Sequence, residues 1–171
     1  MRYVGDTCRT PRYFKRKVVD TVDSFSIRGT GRAGMATTEA AAIRHVMENQ
    51  PFNRLFGIEV LDAGPGWVRE RLAIRPDFLQ PTVVHGGIIY TLADTAAAHS
   101  LLTLILPDAW AATVEQKINF LRPVTGDEIV CHAKVCHLGK TLAFAEAEVV
   151  DGEGKLVAKS TATIMRLEQK P

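Results

Sequence analysis

Apolar residues are distributed along this chain in two distinct ways. Across residues 86–106 nearly every position is apolar, a run long enough for about six helical turns. Its middle is crowded with small side chains (Ala93, Ala96, Ala97 and Ala98) that let another backbone approach closely. Elsewhere the apolar positions come in short extended runs. Residues 58–61 and 67–74 read as two strands parted by the breaker Gly64-Pro65-Gly66. Residues 110–121, 128–138, 141–150 and 156–167 read as four more. These four are divided by Arg122-Pro123-Val124-Thr125-Gly126-Asp127, Gly139-Lys140 and Asp151-Gly152-Glu153-Gly154, and the last three form a natural antiparallel meander. Upstream, Thr37 or Thr38 caps a short helix that ends near Pro51, with Phe52, Leu55 and Phe56 expected to pack beneath it. A loop containing Pro76 and Pro81 leads into the long helix. The order is short helix, two strands, long helix, four strands. It predicts an α+β fold in which one long central helix is wrapped by a curved antiparallel sheet.

The long run is apolar enough to suggest a membrane span, but two residues argue otherwise. Asp94 sits near its centre, where a charge costs about 2.5–3.5 kcal/mol on insertion scales. His99 follows a little over one turn later. The expectation is a helix buried on nearly all sides within a protein core, with no membrane partner.

A length of 171 residues, with 46% hydrophobic and 23% charged positions, suits one domain with a substantial core. The formal charge of +2 hides an asymmetry. Residues 1–34 hold eight Lys and Arg against Asp6, Asp20 and Asp23, a balance of +5; the remainder carries 13 basic and 16 acidic residues, a balance of −3. This basic head lacks the aromatic interleaving of a nucleic-acid-binding module, so no nucleic-acid partner is expected. Residues 29–34 are glycine-rich, and Met35-Ala36-Thr37-Thr38-Glu39 reads like an independent start. Residues 1–36 are therefore expected to be a basic extension, disordered or not native to the functional protein, ahead of a single domain at 37–171. No apolar segment suited to a secretory signal occurs in the head. Cys8, Cys131 and Cys136 make an odd count, and the latter two have opposite parity on one strand, which favours a reducing, cytoplasmic compartment. His132 and His137 are likewise of opposite parity, so neither a metal site nor a cofactor is expected.

The candidate chemistry lies in the long helix. His85-Gly86-Gly87 opens it, leaving backbone N–H groups free at its positive end, where a developing negative charge can be held. Asp94 is the one acidic residue in the following run, and a carboxylate in so apolar a setting calls for a partner or a function. Asp94 lies about 10–12 Å along the helix from the glycines. A single carbonyl cannot touch both, because an attacking group and an oxyanion donor must each lie within about 3 Å of the reacting atoms. If they act together, they come from two chains, and the protein is an obligate dimer with shared sites. The alternative is that the glycines form a tight entry turn and Asp94 caps a neighbouring loop.

Three motifs carry a resemblance. Val84-His85-Gly86-Gly87, six residues and then Ala93-Asp94-Thr95-Ala96; Ile118-Asn119-Phe120-Leu121-Arg122-Pro123; and Leu138-Gly139-Lys140-Thr141 together resemble the hotdog-fold acyl-CoA thioesterases. The branch they resemble is the PaaI-like, phenylacetate-pathway type, over about residues 45–167. The resemblance implies a hotdog fold and hydrolysis of an aryl- or acyl-CoA thioester to free acid and CoA. It also implies a homodimer or a homotetramer built as a dimer of dimers. Gly86 would donate its N–H to the thioester oxygen, with Gly87 beside it, and Asp94 of the opposite subunit would act as general base or nucleophile. Thr113 would orient the water. Many members carry Asn in the loop before the motif; here Gln80 takes that role only with a one-residue shift. His85 is expected to order the turn through its side chain rather than transfer protons. Arg122 and Lys140 are candidates for the cationic rim that meets the CoA phosphates, and Tyr90, Leu101 and nearby Ala residues for the acyl pocket.

Two other functions compete. A non-catalytic acyl-CoA-binding hotdog, acting as a sensor or partner-binding module, would be favoured if Asp94 were buried in a hydrogen-bonded cluster away from the cleft. A hotdog dehydratase or hydratase would need a differently placed His and acid. A serine hydrolase lacks its Gly-x-Ser-x-Gly elbow.

Overall fold

The computed structural model describes residues 37–168. The expectation for residues 1–36 lies outside them. Two helices, α1 (Thr37–Glu48) and α2 (Pro51–Phe56), precede the hairpin β1 (Ile58–Gly64) and β2 (Trp67–Ala73). A 3-10 turn (Pro76–Phe78) and two short strands, β3 (Leu79–Gln80) and β4 (Val83–Val84), lead to α3 (Gly86–Ile105). Four long strands follow: β5 (Ala109–Phe120), β6 (Glu128–Leu138), β7 (Leu142–Asp151) and β8 (Leu156–Glu168). The six long strands form one antiparallel sheet in the order β1-β2-β6-β7-β8-β5. The expected meander is present as β6-β7-β8. The sheet places β5, first of the four in sequence, at its edge beyond β8.

The alternation along β7 shows how the sheet receives the helix. Ala143, Ala145, Ala147 and Val149 are buried, while Leu142, Phe144 and Glu148 point outward. Ala133, Ala158 and Ala162 continue the small-residue floor across the neighbouring strands. On the helix, Ala93, Ala96 and Ala97 are fully buried. Small side chains on both partners bring the backbones close, and Leu92, Leu101, Leu102, Leu72 and Ile129 fill the remaining space. Twelve of the twenty residues of α3 are buried, so its membrane-like length and composition reflect a core helix enclosed by its own sheet.

Two expectations need correction. Phe52 and Leu55 do not pack beneath the first helix. Pro51 starts a separate turn of helix, both side chains are exposed, and the buried residue of α2 is Asn53. Phe56 stacks on Phe78 with ring centroids 6.0 Å apart. Leu101 is wholly buried in the core and is not among the residues that line the cleft at Asp94.

Candidate active site

The turn into α3 is tied down on three sides. Val84 N–H donates to Val124 O and His85 N–H to Phe78 O, at 2.9 and 2.8 Å. The His85 side chain then caps the helix, its Nδ1 accepting the Gly87 N–H at 2.9 Å. His85 thus has the turn-ordering contact expected of it, and the Gly87 N–H is occupied by that contact. Gly86, at the first helical position, has no intrahelical acceptor for its own N–H. A Cβ on Gly86 would come within 3.2 Å of the Phe120 ring, and one on Gly87 within 2.9 Å of His85 Nδ1.

Two turns further along, Asp94 is half-buried, and Thr113 Oγ1 donates to its Oδ1 at 2.8 Å. A bulge in β5 between Thr113 and Glu115 sets Val114 out of register, allowing Thr113 and Gln116 both to face the helix. Tyr90, one turn before Asp94, donates its hydroxyl to Gln116 O at 3.3 Å. Partial burial pushes the Tyr90 phenol above its ordinary range, helped by the negative charges of Asp94 and Glu115.

Asp94 and Thr113 open onto a cleft of about 370 Å³. Trp110, Ala98, Ala111 and Leu102 supply apolar wall, and Gln50, Asn53 and His99 supply a polar end. The polar end rests on a fully buried acid: His99 Nδ1 is hydrogen-bonded to Glu70 Oε1. Burial and the negative charge of Glu70 push the Cys131 thiol, its register partner on β6, well above the usual thiol range. Among the described residues, no three His, Cys, Asp or Glu side chains converge as a metal site.

Of the expected site residues, the structure brings Asp94 and Thr113 together in one cleft. Gly86 and Gly87 lie about 10–12 Å away along the same helix. Gln80, exposed on β3, pairs with Val83 and does not line the cleft. Arg122 Nη1 donates to Leu156 O at 2.5 Å, anchoring the start of β8, while Lys140 is exposed in the turn before β7. Tyr90 borders the Asp94 and Thr113 pair through Gln116.

Sequence reading missed Glu70 as a partner for His99. A signal was present: Val68, Glu70 and Leu72 share one strand parity, so alternation alone places the acid on the inward face of β2. In the Leu138-Gly139-Lys140-Thr141 motif, the Gly139 N–H donates to Leu142 O at 2.9 Å and closes the β6-β7 turn.

Comparison with known proteins supplies a family. Residues 82–158 match the thioesterase superfamily. The acyl-coenzyme A thioesterase PaaI of Escherichia coli is 31% identical over 117 residues, which cover 67% of this chain and 81% of that protein. The solved structure of the E. coli PaaI protein from the phenylacetic acid degradation operon superimposes with a TM-score of 0.70, at 27% identity, covering 77% of this chain and 96% of that one. A thioesterase family protein from Silicibacter pomeroyi superimposes with a TM-score of 0.71, at 30% identity, covering 77% and 99%.

Proposed function

We propose that this chain, which belongs to the thioesterase superfamily and is a thioester hydrolase, cleaves acyl-CoA thioesters with Asp94 of one subunit and the Gly86 N–H of its partner. The observation that carries this reading is the Thr113 hydroxyl on Asp94 Oδ1 at the mouth of a cleft. One carboxylate oxygen is held and the other is left to act. Asp94 lies in the cleft rather than in a closed cluster, which favours catalysis over a purely binding role.

The edge position of β5 supports the shared site. Its outer side has no strand partner among the described residues, and a twelve-residue edge readily pairs with a second copy. Antiparallel self-pairing about a two-fold axis beside Gln116 and Lys117 would set Thr113 opposite the partner's Phe120. Within one chain, the Phe120 ring lies over Gly86. Such an axis would carry the partner's Gly86 toward Asp94, as the spacing along α3 requires of a shared site.

In the reaction, the thioester oxygen accepts the partner's Gly86 N–H, whose helix dipole stabilises the negative charge that develops there. Asp94 either takes a proton from the attacking water or adds to the carbonyl carbon itself. In the first route the tetrahedral intermediate collapses to the acid, expelling CoA thiolate, which takes the proton back from Asp94. In the second, CoA thiolate leaves as a mixed anhydride forms, and water then hydrolyses the anhydride. A thiol-release assay across aryl- and straight-chain acyl-CoAs tests the proposal: turnover by the wild type and its loss in Asp94→Asn are expected, and no release from any thioester would refute it.

A further inference from the structure

The cleft has a polar end that the proposed chemistry leaves unused. Asn53 Nδ2 donates to Met47 O at 2.7 Å and also lies 3.2 Å from His99 Nε2. An amide nitrogen has only hydrogens to offer, so Nε2 is the acceptor there, and the ring proton resides on Nδ1, which donates to Glu70. Gln50 Nε2 also lies 3.2 Å from His99 Nε2, and its carbonyl Oε1 has no partner among the described residues. Gln50 is only partly buried and lines the cleft. The arrangement is a surface amide held from behind by three buried groups.

Holding it so is unfavourable for folding. Glu70 is fully buried, and its Oε2 has no hydrogen-bond partner among the described residues. A carboxylate removed from water with one bond costs several kcal/mol, and an apolar pair of similar size would pack more stably. A cleft that received only hydrocarbon would gain nothing from such a network. His99 lies five residues beyond Asp94 on α3, about 7.5 Å of rise, with Ala98 between them.

We propose that Gln50, oriented by the Glu70, His99 and Asn53 network, hydrogen-bonds a polar substituent on the acyl group, selecting acyl chains that carry a hydroxyl over plain chains of the same length. Gln50 touches the ligand; Glu70 and His99 are positioning residues. The inference rests on the acyl-CoA reading above, since it requires the acyl group to enter past Asp94. A 6-hydroxyhexanoyl group, which carries its hydroxyl about 7.5 Å from the carbonyl carbon in extended form, serves as the probe of this recognition. A site built to hydrogen-bond a hydroxyl discriminates against the analogue lacking it, whereas an apolar pocket prefers the hydrocarbon.

Calorimetry with two non-hydrolysable thioethers of CoA, S-hexyl and S-(6-hydroxyhexyl), reads this recognition without requiring turnover. The hydroxylated ligand should bind about tenfold tighter to the wild type, the effect of one satisfied hydrogen bond. In Gln50→Leu the ratio should fall to one or below, and Glu70→Gln, which leaves the ligand-contacting amide in place, should reduce it part of the way. Equal or weaker binding of the hydroxylated ligand to the wild type, no binding of either, or an undiminished preference in Gln50→Leu would overturn the proposal. Thiol release from hexanoyl-CoA, measured alongside, shows separately whether hydrolysis itself occurs.

Discussion

The Thr113 hydroxyl donates to Asp94 Oδ1 at 2.8 Å, joining the middle of the central helix to the edge strand of the sheet. The contact orients the carboxylate and links its position to the same strand whose free edge suits a partner. Thr113→Val keeps the shape and removes the donor, so kcat should fall about tenfold, the effect of losing a partly exposed hydrogen bond to a charged group. Unchanged kcat would exclude Thr113 from the reaction.

Asp94→Asn retains the hydrogen-bonding outline but cannot act as base or nucleophile. Thioester hydrolysis should drop by about 10²–10⁴-fold, with the melting temperature and the oligomeric state unaltered. Steady-state kinetics and light scattering together check this; wild-type turnover would rule Asp94 out.

Gly86→Ala brings a Cβ within 3.2 Å of the Phe120 ring and disturbs the donor at the helix start. Homodimers of Gly86→Ala and of Asp94→Asn should both be poorly active. Mixed dimers should regain one working site of the two, because one interface then combines an intact Asp94 with an intact Gly86. Co-expression with two affinity tags isolates the mixed species, and an inactive heterodimer argues that each site is built within a single chain.

His99→Leu leaves Glu70 buried without its donor. Loss of one member of a buried pair costs about 3–5 kcal/mol, which in a protein of this size lowers the melting temperature by about 10 °C. The double variant Glu70→Leu/His99→Leu should recover most of that loss, giving a large coupling in a double-mutant cycle. Additive single effects would show that the two groups do not depend on each other.

Cys131 should resist thiol reagents at pH 8 until the protein unfolds, since burial and Glu70 keep it protonated. Its folded value lies above the unfolded one. The contribution to stability is therefore complete below the ordinary thiol value of 9.0 and declines as pH rises past it, when the unfolded state alone ionises. Denaturation midpoints compared between pH 8 and pH 10 should fall less in Cys131→Ala than in the wild type.

Local patterns in the sequence were enough to identify the first helix, the central helix and the six long strands, though not α2 or the short β3-β4 pair. The long continuous apolar run, the shorter extended runs, the breakers between them and the double glycine before α3 pointed to the helix, the strands and the order in which they occur, because each depends on neighbours a few residues apart. The lone acid of the helix and the distance separating it from the glycines were likewise one-dimensional facts. Other features depended on chain packing. β5 pairs with β8, the last strand, and a bulge at Val114 turns Thr113 toward Asp94; neither register nor bulge leaves a clear local mark. Glu70 and His99 stand 29 positions apart and meet only when β2 crosses the helix. Asn53 is drawn inward, and Phe52 and Leu55 outward, by hydrogen bonds to Met47 and His99 that span 6 and 46 positions. Hydrophobicity alone would have ordered those three residues the other way, and the tertiary fold decided otherwise because a buried amide with two partners costs less than one left without them.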